Sequence, residues 1–71
     1  MADIKYLTDN QTRNGMKVNV YTFDDQFIGR GTVVDRYESF GFSNATVEGE
    51  DGTIHRIYWM EKSKKIERIE E

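Results

Sequence analysis

From Met16 onward, apolar and polar residues alternate. Val18, Val20 and Thr22 share one parity, and Lys17, Asn19, Tyr21 and Phe23 share the other. A period of two carried by β-branched and aromatic residues predicts a strand. Asp24-Asp25-Gln26 supplies the turn residues that end it. A second strand is expected over residues 27–37, with Ile28, Val33 and Val34 in it. Gly29 and Gly31 interrupt that strand on one face. Two missing side chains on one face let a sheet bend hard or let another strand approach closely.

Glu38-Ser39 reads as the next connection, and residues 40–47 as a third strand. In it Phe40 and Phe42 lie on one face, with Ala45 and Val47 on the other. Glu50-Asp51-Gly52 follows, and Asp-Gly between two strand patterns signals a hairpin. Residues 53–60 are the densest apolar segment, with Ile54, Ile57, Tyr58, Trp59 and Met60, which predicts a strand buried on both sides. In the tail, Ile66 and Ile69 are the only apolar residues after Met60. Two are too few to dock a helix, so a tight turn at Lys62-Ser63-Lys64 and a short closing strand are expected.

Residues 1–15 form a lead-in. Ile4 and Leu7 either lie on one face of a short helical turn begun near Asp3 or, in a partly ordered lead-in, plug the end of a small barrel; the second reading is preferred. Residues 16–71 form the single domain that a 71-residue chain can support. A chain of this size hides only about 60% of its unfolded surface, so its core is thin. With no cysteine and one histidine it has neither a disulfide staple nor the ligands of a structural zinc site. Side chains alone, or a partner subunit, must complete the core.

The nine aromatic rings are numerous for so few aliphatics, and any left exposed make binding anchors. A net charge of −3 argues against coating nucleic acid through the overall field, though not against a local basic patch. The N-terminal residues lack a signal-peptide pattern, and no apolar run is long enough to cross a bilayer. A soluble, cytoplasmic protein is the expectation.

Residues 16–69 resemble the Sm-like family (Sm, Lsm and bacterial Hfq proteins), and more generally the SH3-like small barrels. Val18-Asn19-Val20-Tyr21, then Asp24-Asp25-Gln26-Phe27-Ile28 and Gly31-Thr32-Val33, resemble the family's first motif. Ile66-Glu67-Arg68-Ile69 is similar to its closing strand. The resemblance implies an all-β fold: a small, strongly bent, five-stranded barrel with a short N-terminal turn or helix. It also implies single-stranded RNA as a ligand class. At the family's first RNA loop, however, this chain reads Arg36-Tyr37-Glu38-Ser39-Phe40, with tyrosine where aspartate is expected. At the second it reads Glu61-Lys62-Ser63-Lys64-Lys65, which matches neither the eukaryotic nor the bacterial signature.

Lys62, Lys64, Lys65 and Arg68 are the main basic cluster. Together with Tyr37 or Phe40 as a stacking surface they could hold RNA through phosphates and bases. The plainer reading, and the favoured one, is a solvated tail that pairs locally with Glu61, Glu67, Glu70 and Glu71. Trp59 reads as a core residue rather than a partner anchor, and His55, next to Arg56, as a rim residue. No nucleophile elbow, glycine-rich phosphate loop or metal-ligand spacing accompanies that histidine. Asp24-Asp25 and Glu48-Glu50-Asp51 lack calcium-loop spacing and read as charged hairpin tips. The expectation is therefore a non-enzymatic module with no cofactor and no metal. It binds a protein partner, or itself, through an edge strand or exposed aromatics; single-stranded RNA is the alternative.

Overall fold

The alternation around Val18 and Val20 becomes β1 (Lys17–Tyr21), an inner strand of an antiparallel sheet. β2 (Phe27–Ser39), β3 (Phe42–Gly49) and β4 (Ile54–Tyr58) follow as a meander on one side of it, and β5 (Lys65–Arg68) pairs on the other. The strand order is β4-β3-β2-β1-β5. The computed structural model describes residues 5–39, 41–60 and 63–69. Among these, β4 and β5 do not pair, so the sheet is open between them.

One sheet can bury a face completely only by curling over itself. Val18, Val20, Val33, Ala45, Val47, Ile57 and Ile66 are each at most 1% exposed and form one cluster. β2 makes the curl. Val18 faces Gly31 and Val20 faces Gly29, so β1's inward valines lie against positions without side chains. Gly31 is required sterically, because a Cβ there would sit 2.4 Å from the Glu48 carbonyl oxygen and 2.7 Å from Val47 Cγ1. The pairing register skips one residue at Ile28 and again at Val34. Each bulge bends and twists its strand and moves the inserted residue off the buried face. Ile28 and Val34 are accordingly 41% and 46% exposed.

Several expectations change. β2 continues through Ser39, and the next turn lies at Gly41 (φ 80°) rather than at Glu38-Ser39. The glycine accepts the left-handed backbone that a tight reversal requires. β4 is an edge strand buried on one face only, with Ile54 half exposed and Arg56 outside. Its apolar density suggests burial on both sides, but on the outer face Ile54 and Arg56 are exposed and only Tyr58 is partly covered. A 3-10 turn occupies Asp9–Gln11, later in the chain than the helical turn weighed near Asp3, which lies outside the described residues, as does Ile4. Leu7 packs against the core, and Thr12 in the polar part of the lead-in is fully buried.

The lead-in also joins the sheet. Tyr6 bridges Glu67, and the Leu7 amide donates to the Ile66 carbonyl at 2.8 Å, covering part of the outer edge of β5. The Tyr6 hydroxyl donates to Asp25 Oδ1 (2.5 Å), at the β1–β2 turn, and Lys65 Nζ lies 4.7 Å from the Tyr6 ring centre. Tyr6 and Tyr21 meet edge to face at 5.6 Å, and Tyr21 meets Phe27 in the same way at 5.7 Å. Arg36 closes the other end, donating from Nε to the Asp9 carbonyl at 2.8 Å.

Candidate functional site

In a β-strand, successive residues aim their backbone groups to opposite sides. The Gly49 amide donates to the Thr53 carbonyl (2.7 Å), so Thr53, and with it His55 and Ile57, turn toward β3. Ile54, Arg56 and Tyr58 therefore face the outer edge. At Tyr58 that edge is closed by one side chain: Ser63 Oγ accepts from the Tyr58 amide (3.0 Å) and donates to its carbonyl (2.8 Å). Ile54 and Arg56 have no such partner among the described residues, so their donors and acceptors stand open. The two sheet edges thus differ, with β5 strapped by Tyr6 and Leu7 while β4 is available.

Apolar side chains gather beside this edge. Phe42 and Met60, 53% and 67% exposed, flank Tyr58 in a shallow pocket of about 250 Å³. On the other side of Tyr58 a cleft of about 360 Å³ is lined by Leu7, Phe23, Trp59, Ser63, Lys64 and Lys65. Trp59 is half-buried against the core and donates its indole N–H to the Leu7 carbonyl (3.0 Å). It forms the wall of a cleft as well as part of the core.

His55 is buried, on the inward face opposite Val47, which corrects its expected place on the rim. It shares the parity of Ile57, and that was the available signal. Its Nδ1 lies 3.2 Å from Lys64 Nζ, so with Lys64 charged this nitrogen accepts. Burial first, and the Lys64 charge second, push the imidazole below its ordinary pKa, while Asp51 pulls weakly the other way. Tyr6 is pushed up by burial and by its bond to Asp25, and that carboxylate is held below the usual range by Tyr6 and Lys65. Burial and the bond to Glu67 likewise raise Tyr21.

Lys62, Glu61, Glu70 and Glu71 lie outside the described residues; among the described ones, Lys64 and Lys65 find partners other than Glu67. Lys65 bonds Asp25, forty positions away, at 3.1 Å, and Lys64 meets His55. Glu67 is taken by Tyr21 (3.0 Å) and Asn19 (3.1 Å). The Glu67 contacts follow from β1 and β5 lying side by side. Lys64 and Lys65 share the Trp59 cleft, whereas Arg68 lines separate grooves with Ile69, on the β5 side. Tyr37 is 41% exposed on the outer face, opposite Asn44, which in turn faces Tyr58. Phe40 and Lys62 lie outside the described residues. Among the described residues there is no cluster of three or more metal-ligating side chains and no helix long and apolar enough to span a membrane. Comparison with protein-family models, curated proteins and solved structures finds no match for this chain.

Proposed function

We propose that this chain is a non-enzymatic module of the small-barrel type that binds a protein partner by accepting an extended segment on the edge of β4. The observation that carries the proposal is the asymmetry of the two edges. β5 is covered by the chain's own Tyr6 and Leu7, whereas Ile54 and Arg56 offer open backbone groups flanked by exposed apolar side chains. An added strand draws affinity from main-chain hydrogen bonds and specificity from side-chain pockets. The pockets on either side of Tyr58 are suited to that second part. Five antiparallel strands and a twice-bulged β2 support a curled small barrel.

Single-stranded RNA is the second reading, favoured by Lys64 and Lys65 beside Phe23 and Trp59. It is weakened by the placement of Arg68 in other grooves and by the engagement of Lys65 with Asp25.

Selection of extended peptides from a random display library on the immobilised chain, with Arg56→Pro as counter-target, tests the proposal. Proline is tolerated on an edge strand where the N–H faces solvent, so this variant removes an edge donor and keeps the β3–β4 ladder. Peptides retained by the parent and lost by the proline variant are expected. Enrichment of none, or equal retention by both, refutes the edge reading. Oligouridine binding tighter than the non-specific range of about 10⁻⁴–10⁻⁶ M at physiological salt would put RNA first.

A further inference from the structure

We infer that the segment accepted by the β4 edge is acidic, with a carboxylate opposite Arg56, and that it is not a second copy of this chain. The inference rests on the edge reading above and specifies its partner.

Two cations border the open stretch. Arg56 projects from the outer face, exposed and with no ion pair among the described residues. Lys64 lies on the inner side, its ammonium 3.2 Å from the neutral acceptor His55 Nδ1 and likewise without a carboxylate among the described residues. The neighbouring acidic position on β3, Glu48, is opposite Ile54 rather than Arg56, which faces Thr46. Glu48 therefore takes only the adjacent diagonal and Asp51 lies near His55 at the hairpin tip, so the position directly across from Arg56 on the open side is the one a foreign carboxylate can fill. A cross-strand carboxylate opposite Arg56 gains from direct pairing, and a like charge there loses by a similar amount.

The same geometry argues against self-pairing. A two-fold antiparallel pairing of so short an edge puts Arg56 either opposite its counterpart or on the adjacent diagonal, about 7–8 Å away. It also brings both copies' Lys64 to one seam. A head-to-tail ring would need the outer edge of β5, where Leu7 already bonds Ile66 and Tyr6 is held by Asp25. What remains is a foreign strand that alternates carboxylates on its outer face with apolar residues over His55 and Ile57.

Fluorescently labelled alternating Glu–Val and Lys–Val decapeptides, titrated into the full chain at low and high salt, test this. The Glu–Val peptide should bind, weaken with salt, and be lost in Arg56→Pro. Arg56→Glu should weaken it roughly tenfold and transfer preference to the Lys–Val peptide. Thermal melts check that both variants stay folded, and Ile54→Pro provides a second edge variant. Equal binding of both peptides, or indifference to Arg56→Glu alongside loss in Arg56→Pro, overturns the acidic partner and leaves the edge reading standing. A dimer by light scattering that Arg56→Pro dissociates overturns it in favour of a second copy. Binding of neither peptide, with both proline variants silent in the library selection as well, removes both readings.

Discussion

Ser63 satisfies both backbone groups of Tyr58 with one hydroxyl, accepting from its amide at 3.0 Å and donating to its carbonyl at 2.8 Å. A side chain here does the work of a neighbouring strand, and it ends the open part of the β4 edge. Ser63→Ala leaves both groups to water and should cost about 1 kcal/mol in urea unfolding. Ser63→Thr keeps a hydroxyl in place and should retain most of that stability.

Gly31 and Gly29 share the inner face of β2 but should respond differently to alanine. A Cβ at Gly31 meets the Glu48 carbonyl at 2.4 Å, backbone that cannot swing aside. Overpacking of that kind costs about 1–3 kcal/mol. At Gly29 the nearest atom to a Cβ is His55 Nε2, at an ordinary 4.0 Å. Gly29→Ala should stay within about 0.5 kcal/mol of the parent. Equal effects of the two substitutions in denaturant melts would contradict this packing.

His55 makes stability depend on pH in a known direction. Its folded pKa is depressed by burial and by Lys64, so below about pH 6.5 the unfolded chain binds a proton that the folded chain resists. Stability is therefore full above that pH and falls as pH drops toward the folded value, below which it levels off. His55→Gln should flatten the melting temperature over this window. The Asp25 contribution has the acid sign: it is present above the ordinary carboxylate range and is lost only as pH falls through the depressed folded value. It therefore acts on the acid side, below the ordinary carboxylate range.

The Tyr6 hydroxyl holds the lead-in to the β1–β2 turn through Asp25. Tyr6→Phe keeps the ring against Tyr21 and beneath Lys65 but removes that bond. Hydrogen exchange at the Leu7 amide, which donates to Ile66, should quicken, while the amides of β1 and β2 stay protected. Unchanged exchange at Leu7 would mean that the strap is held without the hydroxyl.

Much of the strand plan is legible along the chain, because a period of two and its turn residues are local signals. Val18 and Val20 announce β1, Asp51-Gly52 the β3–β4 hairpin, and Ile66 the closing strand. Less legible are the bulges at Ile28 and Val34, which reset parity at the start and in the middle of β2 and leave two strand aliphatics outside. A pattern read residue by residue has no term for an inserted residue whose partner strand is unknown.

The sequence by itself determined an all-β chain of five strands, with glycines placed where the second must bend. Only the tertiary structure decided which edge of the sheet is free. That choice depends on Tyr6 and Leu7 reaching β5 across some sixty residues of chain, and on Ser63 stopping at Tyr58. It likewise decided that Lys65 answers Asp25 and that Lys64 meets a buried His55. Such contacts belong to strands that are distant in sequence and adjacent in space, and no spacing along the chain encodes them.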